Sequence, residues 1–291
     1  MIPRVVRRVV ETAARIVTTE SRCPDVVGVV FLFGVSAWII AVVVFAVCFT
    51  AAEVGYRLGR RGAKSGIAKK EHLGAVQAAA AALLGLLLAF SVSMAVTRFE
   101  ARKAAVVDEA NAIGTAYLRA SLLPEPQRTQ AEEAFEKYVD VRLELARPDW
   151  YLSSSSGLRE EEQVLQRELW SLGVAVAEQD QRAVTTGLYI QAVNETIDSA
   201  ARRDAGLRNH VPESTMYMIF AVAVLTLGLT GYTSGLTGGR SLVATLILSL
   251  IITAVVFVIL DFDRPYRGII TVNQQSMVEL RDAIRLGLPL P

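Results

Sequence analysis

Two carboxylates two residues apart, Asp261 and Asp263, stand where the last long apolar run of the chain ends. Side chains of that type at that spacing admit two readings. They are oxygen ligands for a hard cation, or they pair with Arg264 or Arg267 while Pro265 caps the exit. Calcium takes roughly six to eight oxygens, more than two carboxylates supply, so ion pairing is favoured. Glu109 and Asn111 carry the same two readings, and polar contacts between helices are favoured there over ion ligands. His72 and His210 are far apart, which argues against a His-based metal site, and no metal is assigned. Cys23 and Cys48 are the only cysteines, and Cys48 falls inside an apolar run, so no disulfide framework is expected. Gly228, Gly231, Gly235, Gly238 and Gly239 form a cluster with no following Lys-Ser/Thr and no preceding strand. That pattern is a helix-packing surface rather than a phosphate loop. With no nucleophile–base pair, metal spacing or cofactor loop, the sequence points away from an enzyme, from a cofactor and from nucleic acid.

The elements that position these residues are read from hydropathy. Hydrophobic residues make up 52% of the chain, and its mean hydropathy is +0.38, whereas roughly 45–50% apolar is usual for a soluble domain. The excess is localised in four stretches without a charge: Val26–Ala52, Leu73–Thr97, Ser214–Gly239 and Ser241–Leu260. About 20 helical residues cross a hydrocarbon core of roughly 30 Å, so all four are long enough to span it. The predicted fold is all-α: an integral membrane protein with four transmembrane helices and a helical domain between the second and third. Residues 26–97 hold spans one and two, 98–213 the inserted domain, 214–260 spans three and four, and 261–291 a tail. The first run is too long for a cleaved signal peptide and is expected to remain in the mature protein. In residues 1–25, five arginines interleave with Val and Ile near helical spacing, which reads as a basic amphipathic helix on an anionic membrane surface, or else as a frayed tail.

The insertion holds 14 Lys/Arg against 20 Asp/Glu, so it is acidic and water-facing. Its helices are punctuated at Leu123-Pro124-Glu125-Pro126, at Arg147-Pro148 and at Ser153-Ser154-Ser155-Ser156-Gly157. Nothing breaks the chain between the second span and Leu122, which predicts one long helix, and Pro212 restarts the chain for the third span. Four spans put both termini and the insertion on one side. That side carries 15 membrane-flanking positives, namely five in 1–25, then Arg98, Arg102, Lys103, Arg202, Arg203, Arg208, Arg264, Arg267, Arg281 and Arg285. The other side carries 7: Arg57, Arg60, Arg61, Lys64, Lys69, Lys70 and Arg240. The asymmetry predicts cytoplasmic termini and a cytoplasmic domain. The six positives of the first connection oppose it, unless part of residues 53–72 lies at the other interface or turns back.

Around the end of the second span the sequence reads Phe90-Ser91-Val92-Ser93-Met94-Ala95-Val96-Thr97-Arg98-Phe99. This resembles the bestrophin signature, in which a Phe inside the second span is followed eight positions later by an Arg-aromatic pair. Phe90, Val92, Val96, Thr97 and Arg98 match. The stretch Asp108 to Tyr117 and the tail Asp261-Phe262-Asp263-Arg264-Pro265-Tyr266-Arg267-Gly268 resemble a bacterial bestrophin-like group of unknown function, over nearly the whole chain. The resemblance implies an oligomeric, pentameric anion channel whose second spans line a pore with an apolar neck. Spacing from Arg98 carries the neck onto Ala82, Leu86 and Phe90, and the flanking motif onto Arg98, Phe99 and Arg102. Steps of four residues advance about 40° round a helix and about 6 Å along it, so the three neck positions make one slanted stripe. Ala82 is smaller than the bulky residue implied, and Arg102 falls one residue early. The family also places acidic residues after its fourth span, where in animal members they help hold calcium, which puts Asp261 and Asp263 in that position.

Two functions follow as expectations. One is a homo-oligomeric channel passing inorganic anions through a pore that resists wetting at an apolar ring. The other is a non-conducting membrane scaffold or sensor whose acidic helical domain binds a partner. Either has the lipid bilayer as its first partner.

Overall fold

In the computed structural model, residues 36–64, 70–147, 155–179, 184–239, 241–264 and 268–290 are described. They form eight helices, with no strand among the described residues: α1 (Ala37–Lys64), α2 (Lys70–Ala120), α3 (Gln127–Glu144), α4 (Ser155–Gln179), α5 (Val184–Arg208), α6 (Glu213–Thr237), α7 (Leu242–Phe262) and α8 (Gln275–Leu286). The expected basic helix over 1–25 lies outside the described residues, as do Ser153, Ser154, Arg240, Pro265 and Arg267. Among the described residues four helices are long and apolar enough to cross a membrane, and their apolar stretches lie in α1, α2, α6 and α7. The chain divides into two compact units, one of residues up to Val92 with Val211–Leu260, the other of Ser93–His210 with Asp261–Pro291.

The second helix runs unbroken for 51 residues, as the lack of Pro and of turn signals predicts. It ends at the Pro124/Pro126 turn, and α3 begins at Gln127 just beyond it. Elsewhere the helix bounds differ from the hydropathy bounds. The first apolar run stops at Ala52, yet α1 continues to Lys64 through Glu53, Arg57, Arg60 and Arg61. Charge ends an apolar run without ending a helix, because Glu, Arg, Lys and Leu are all good helix formers. The serine run behaves alike: α4 begins at Ser155, so Ser155, Ser156 and Gly157 form its first turn rather than a linker.

In the first unit, α1 and α6 touch through their backbones. A Cβ at Gly55 would land on the carbonyl oxygen of Gly228, one at Gly59 on that of Tyr232, one at Gly231 on that of Ala52, and one at Gly235 on that of Tyr56. Both helices carry the Gly-x-x-x-Gly spacing, at 55/59 and at 231/235, which lines small residues along one face and lets axes approach closely. Gly238 and Gly239 take no part: Gly238 is the left-handed cap of α6, and neither has a neighbour within reach of a Cβ. A polar ladder joins α2 to α6. Gln77 Nε2 donates to Thr230 Oγ1 at 3.3 Å, and Thr233 Oγ1 donates to Gln77 Oε1 at 2.6 Å. Of the run Ala78 to Ala82, only Ala80 is half-buried, and its carbonyl accepts from Thr226 Oγ1 at 3.5 Å.

The second unit has a hydrophobic core of its own. Ile113, Ala116 and Ala120 of α2 pack with Phe135, Tyr138 and Val139 of α3, Leu165 and Leu169 of α4, Tyr189 and Val193 of α5, and Met277 and Leu280 of α8. The tail after the last span therefore folds into the same core as the insertion.

Candidate functional site

The three neck positions lie on one side of α2. Phe90 is 65% exposed and Leu86 53%, and Ala82 is exposed with them, whereas Leu84, Ser91 and Ala95 on the opposite side are buried. In a single chain, a large aromatic this exposed in the middle of a helix has no packing explanation among the described residues. It is available to lipid, to a second copy or to a pore.

The residues that follow turn inward. Phe99 meets Phe262 edge-on, with ring centroids 5.4 Å apart. Arg102 is 3% exposed and gathers four acceptors. Its Nε donates to the Gly206 carbonyl at 3.0 Å, Nη1 to Phe262 O at 3.3 Å, and Nη2 to Asn209 O at 2.8 Å and to Asp263 Oδ1 at 3.1 Å. Gly206 and Phe262 lie in the last turns of α5 and α7, where carbonyls lack helical partners and the helix dipole favours a cation. One guanidinium thus caps two helix ends and neutralises a buried carboxylate. Arg98 is half-buried, and its Nη1 is shielded from solvent with no hydrogen-bond partner among the described residues.

Asp261 and Asp263 each find partners within the second unit, and Arg267, one of the two arginines expected beside them, lies outside the described residues. Asp263, 1% exposed, is held by Arg102, and His210 Nδ1 lies 3.4 Å from its second oxygen. Asp261, 2% exposed, accepts the backbone N–H of Ile269 at 3.1 Å and of Ile270 at 2.9 Å. That loop closes over the carboxylate at Gly268, whose φ of 147° suits glycine and whose Cβ, were it present, would collide with Asp261 Oδ1. The two carboxylates therefore answer to different partners, and no group of three or more metal-ligating side chains is found among the described residues.

Glu109 and Asn111, close in sequence, part company. Glu109 is wholly buried and receives Arg142 on one oxygen and Arg203 on the other. Arg142 also reaches Glu162 at 2.7 Å and Asp204 at 3.4 Å, Arg159 joins Glu162 to Asp204, and Arg203 donates to Gln274 Oε1 at 2.7 Å. Burial works against the Arg142 charge, but the Glu109 carboxylate, with Tyr138 and Glu162, outweighs it and holds the guanidinium above its ordinary range. Burial also raises the Tyr138 hydroxyl, against the Arg142 charge that favours ionisation. Asn111 instead is exposed beside a cavity of about 450 Å³ with Gly114, Thr115 and Leu280. For Glu109 the sequence favours a polar contact between helices over an ion ligand, but it does not single out Arg142, Glu162, Arg203 and Asp204 as the set around it, because they come from three other helices and no local spacing joins them.

A family model described as the bestrophin-like domain matches residues 42–277 of the chain, which takes in α1 through α7 and the start of α8. No curated protein and no solved structure matches it.

Proposed function

The chain belongs to the bestrophin-like family, and on that premise we propose that it is one subunit of an oligomeric, anion-permeable channel whose pore is lined by α2. It is a multi-pass membrane protein with four helices fit to span, and the family supports anion conduction at the level of the group. The observation that carries the reading for this chain is the uncovered stripe of Ala82, Leu86 and Phe90 beside a buried opposite face. Placed round an axis, such rings form a constriction that expels water unless its side chains shrink or withdraw. The small Ala82 makes one end of that constriction wider. Phe99, Arg102 and Asp263 then serve as fixed points for the helix beyond the pore, by ring packing and by capping.

The test is conductance. In reconstituted bilayers, Phe90→Ala with Leu86→Ala is expected to raise or deregulate chloride current several-fold without loss of oligomer. Wild type and double variant equally silent to chloride, bromide and nitrate, with the oligomer intact, would leave the scaffold reading in place of the channel. The reading includes cytoplasmic termini and a cytoplasmic 98–213, from the 15 to 7 excess of positives. A Cys introduced at Ser153 is expected to stay unlabelled by an impermeant thiol reagent in intact cells and to react after permeabilisation. Labelling from outside reverses the orientation.

A further inference from the structure

A cavity of about 250 Å³ opens between α2 and α5 inside the second unit, with Arg98, Arg102 and Arg202 in its wall and Ala101 and Ala105 beside them. Three guanidiniums at one cavity are an unusual concentration of charge, and they are not equivalent. Arg102 has its donors committed to three carbonyls and to Asp263, so it fixes the wall. Arg98 has an Nη1 that is shielded from water and meets no acceptor among the described residues. A buried charged donor left unpaired costs more than the roughly 1–3 kcal/mol of a neutral one, and such atoms mark a missing partner. Among the described residues Arg202 is tied to Glu195, in a pair whose side chains are both more than half exposed, and such surface pairs contribute about 0–1 kcal/mol, little enough to be exchanged. The single carboxylate in the wall, Asp108, is exposed.

We propose that this cavity holds a phosphate group, clamped by Arg98 from α2 and Arg202 from α5. The guanidinium fork matches phosphate oxygens in pairs, and charge-assisted bonds of this kind are about twice as strong as neutral ones. A carboxylate, with two oxygens, fills one fork, whereas a phosphate presents enough acceptors for two. A single halide is far smaller than the cavity. Arg98 is also the first charged residue after the uncharged stretch Leu73–Thr97, the level at which the headgroups of a bilayer lie. Lipid headgroup and free phosphate therefore share the chemistry that this site selects. The inference goes beyond the channel reading and holds whether or not the oligomer conducts.

The experiment uses the purified full chain. Inorganic phosphate is titrated calorimetrically against delipidated protein in neutral detergent, and retention of phosphatidylglycerol over phosphatidylcholine is read by native mass spectrometry from mixed-lipid nanodiscs. Binding in detergent assigns free phosphate, and selective retention of phosphatidylglycerol alone assigns the headgroup. In whichever arm binds, Arg202→Gln is expected to weaken binding about tenfold, as the loss of one charge-assisted contact implies, and Asp108→Asn to tighten it. Arg98→Gln is expected to abolish binding, and if that variant aggregates, Arg202→Gln and Asp108→Asn decide. Arg167→Gln, exposed on α4 away from the cavity wall, should change nothing. No binding in either arm, or equal losses for Arg202→Gln and Arg167→Gln, overturns the site.

Discussion

The seam between α1 and α6 and the buried charges around Glu109 solve the same problem, how one helix holds another, with opposite materials. At the seam there is almost no side chain: Gly55, Gly59, Gly231 and Gly235 bring backbone against backbone. Around Glu109 there is little but side chain, two arginines on one carboxylate with Glu162, Asp204 and Arg159 completing the set. The difference follows from solvent. Between spanning helices the hydrophobic effect supplies no drive, since lipid is as apolar as leucine, and close van der Waals packing must do the holding. The second unit has an apolar core of its own, so there the hydrophobic effect supplies the cohesion, and the ions fix which helices meet, because any other arrangement leaves a buried charge alone.

The sharpest way to break this contrast is to add bulk at the seam. Gly231→Val places a side chain where the Ala52 carbonyl stands. Overpacking a core costs typically about 1–3 kcal/mol when side chains can shift, and here the obstacle is backbone, so the cost exceeds that range. The expected outcome is loss of monodisperse protein on gel filtration in detergent. Gly85→Ala, where a Cβ meets nothing within 4 Å, is the matched control and should be neutral or gain up to about 1 kcal/mol from helix propensity. Equal behaviour of the two variants would show that the seam is not what joins α1 to α6.

The second break is ionic. Glu109→Ala removes the carboxylate that Arg142 and Arg203 share and strands both, and removing one partner of a buried pair costs about 3–5 kcal/mol. Thermal melting followed by circular dichroism should report a drop of several degrees or more. Replacing the set together, with Glu109→Leu, Arg142→Met and Arg203→Met, is expected to recover most of that loss, since well-packed apolar groups often replace buried ion pairs at little cost. No recovery would mean that the charges act outside the fold.

How far these features could be read from sequence depends on whether their signal is local. The four spanning helices, the long α2 and the turns at Pro124/Pro126 and Pro212 are local and were legible. The Gly231/Gly235 half of the seam was legible too, but its Gly55/Gly59 half was not, because Arg57 inside that motif placed it beyond the apolar run. The signal was there in the four-residue spacing, hidden by using charge as a helix boundary. At the candidate site, Ala82, Leu86 and Phe90 follow from a motif and a helical step. Arg102 capping α5 and α7 joins residues more than a hundred positions apart, and the Arg142 set crosses four helices, so neither leaves a periodicity to find. Asp261 and Asp263 show the limit most directly. Arg102 reaches Asp263 from α2 and two backbone N–H groups reach Asp261 from the following loop, contacts that the spacing of neighbouring charges does not signal.

The smallest effect in this series concerns that loop and tests whether Asp261 is a structural acceptor or a cation ligand. Its carboxylate sits in the last turn of α7, where the helix dipole disfavours negative charge. Two backbone N–H groups, those of Ile269 and Ile270, offset this by donating to it, and Gly268 allows the loop to come that close. Asp261→Asn keeps the shape but turns one acceptor oxygen into a donor facing another donor, which should cost about 1–3 kcal/mol. Gly268→Ala disturbs the same contact from the other side, by collision and by a backbone angle that a Cβ disfavours. If the role is structural, melting shows similar losses for both variants, and the losses are the same in EDTA and in millimolar calcium. If calcium stabilises the wild type and Asp261→Asn abolishes that gain, the carboxylate is a ligand, and the loop over Gly268 is closed by a cation instead of by hydrogen bonds.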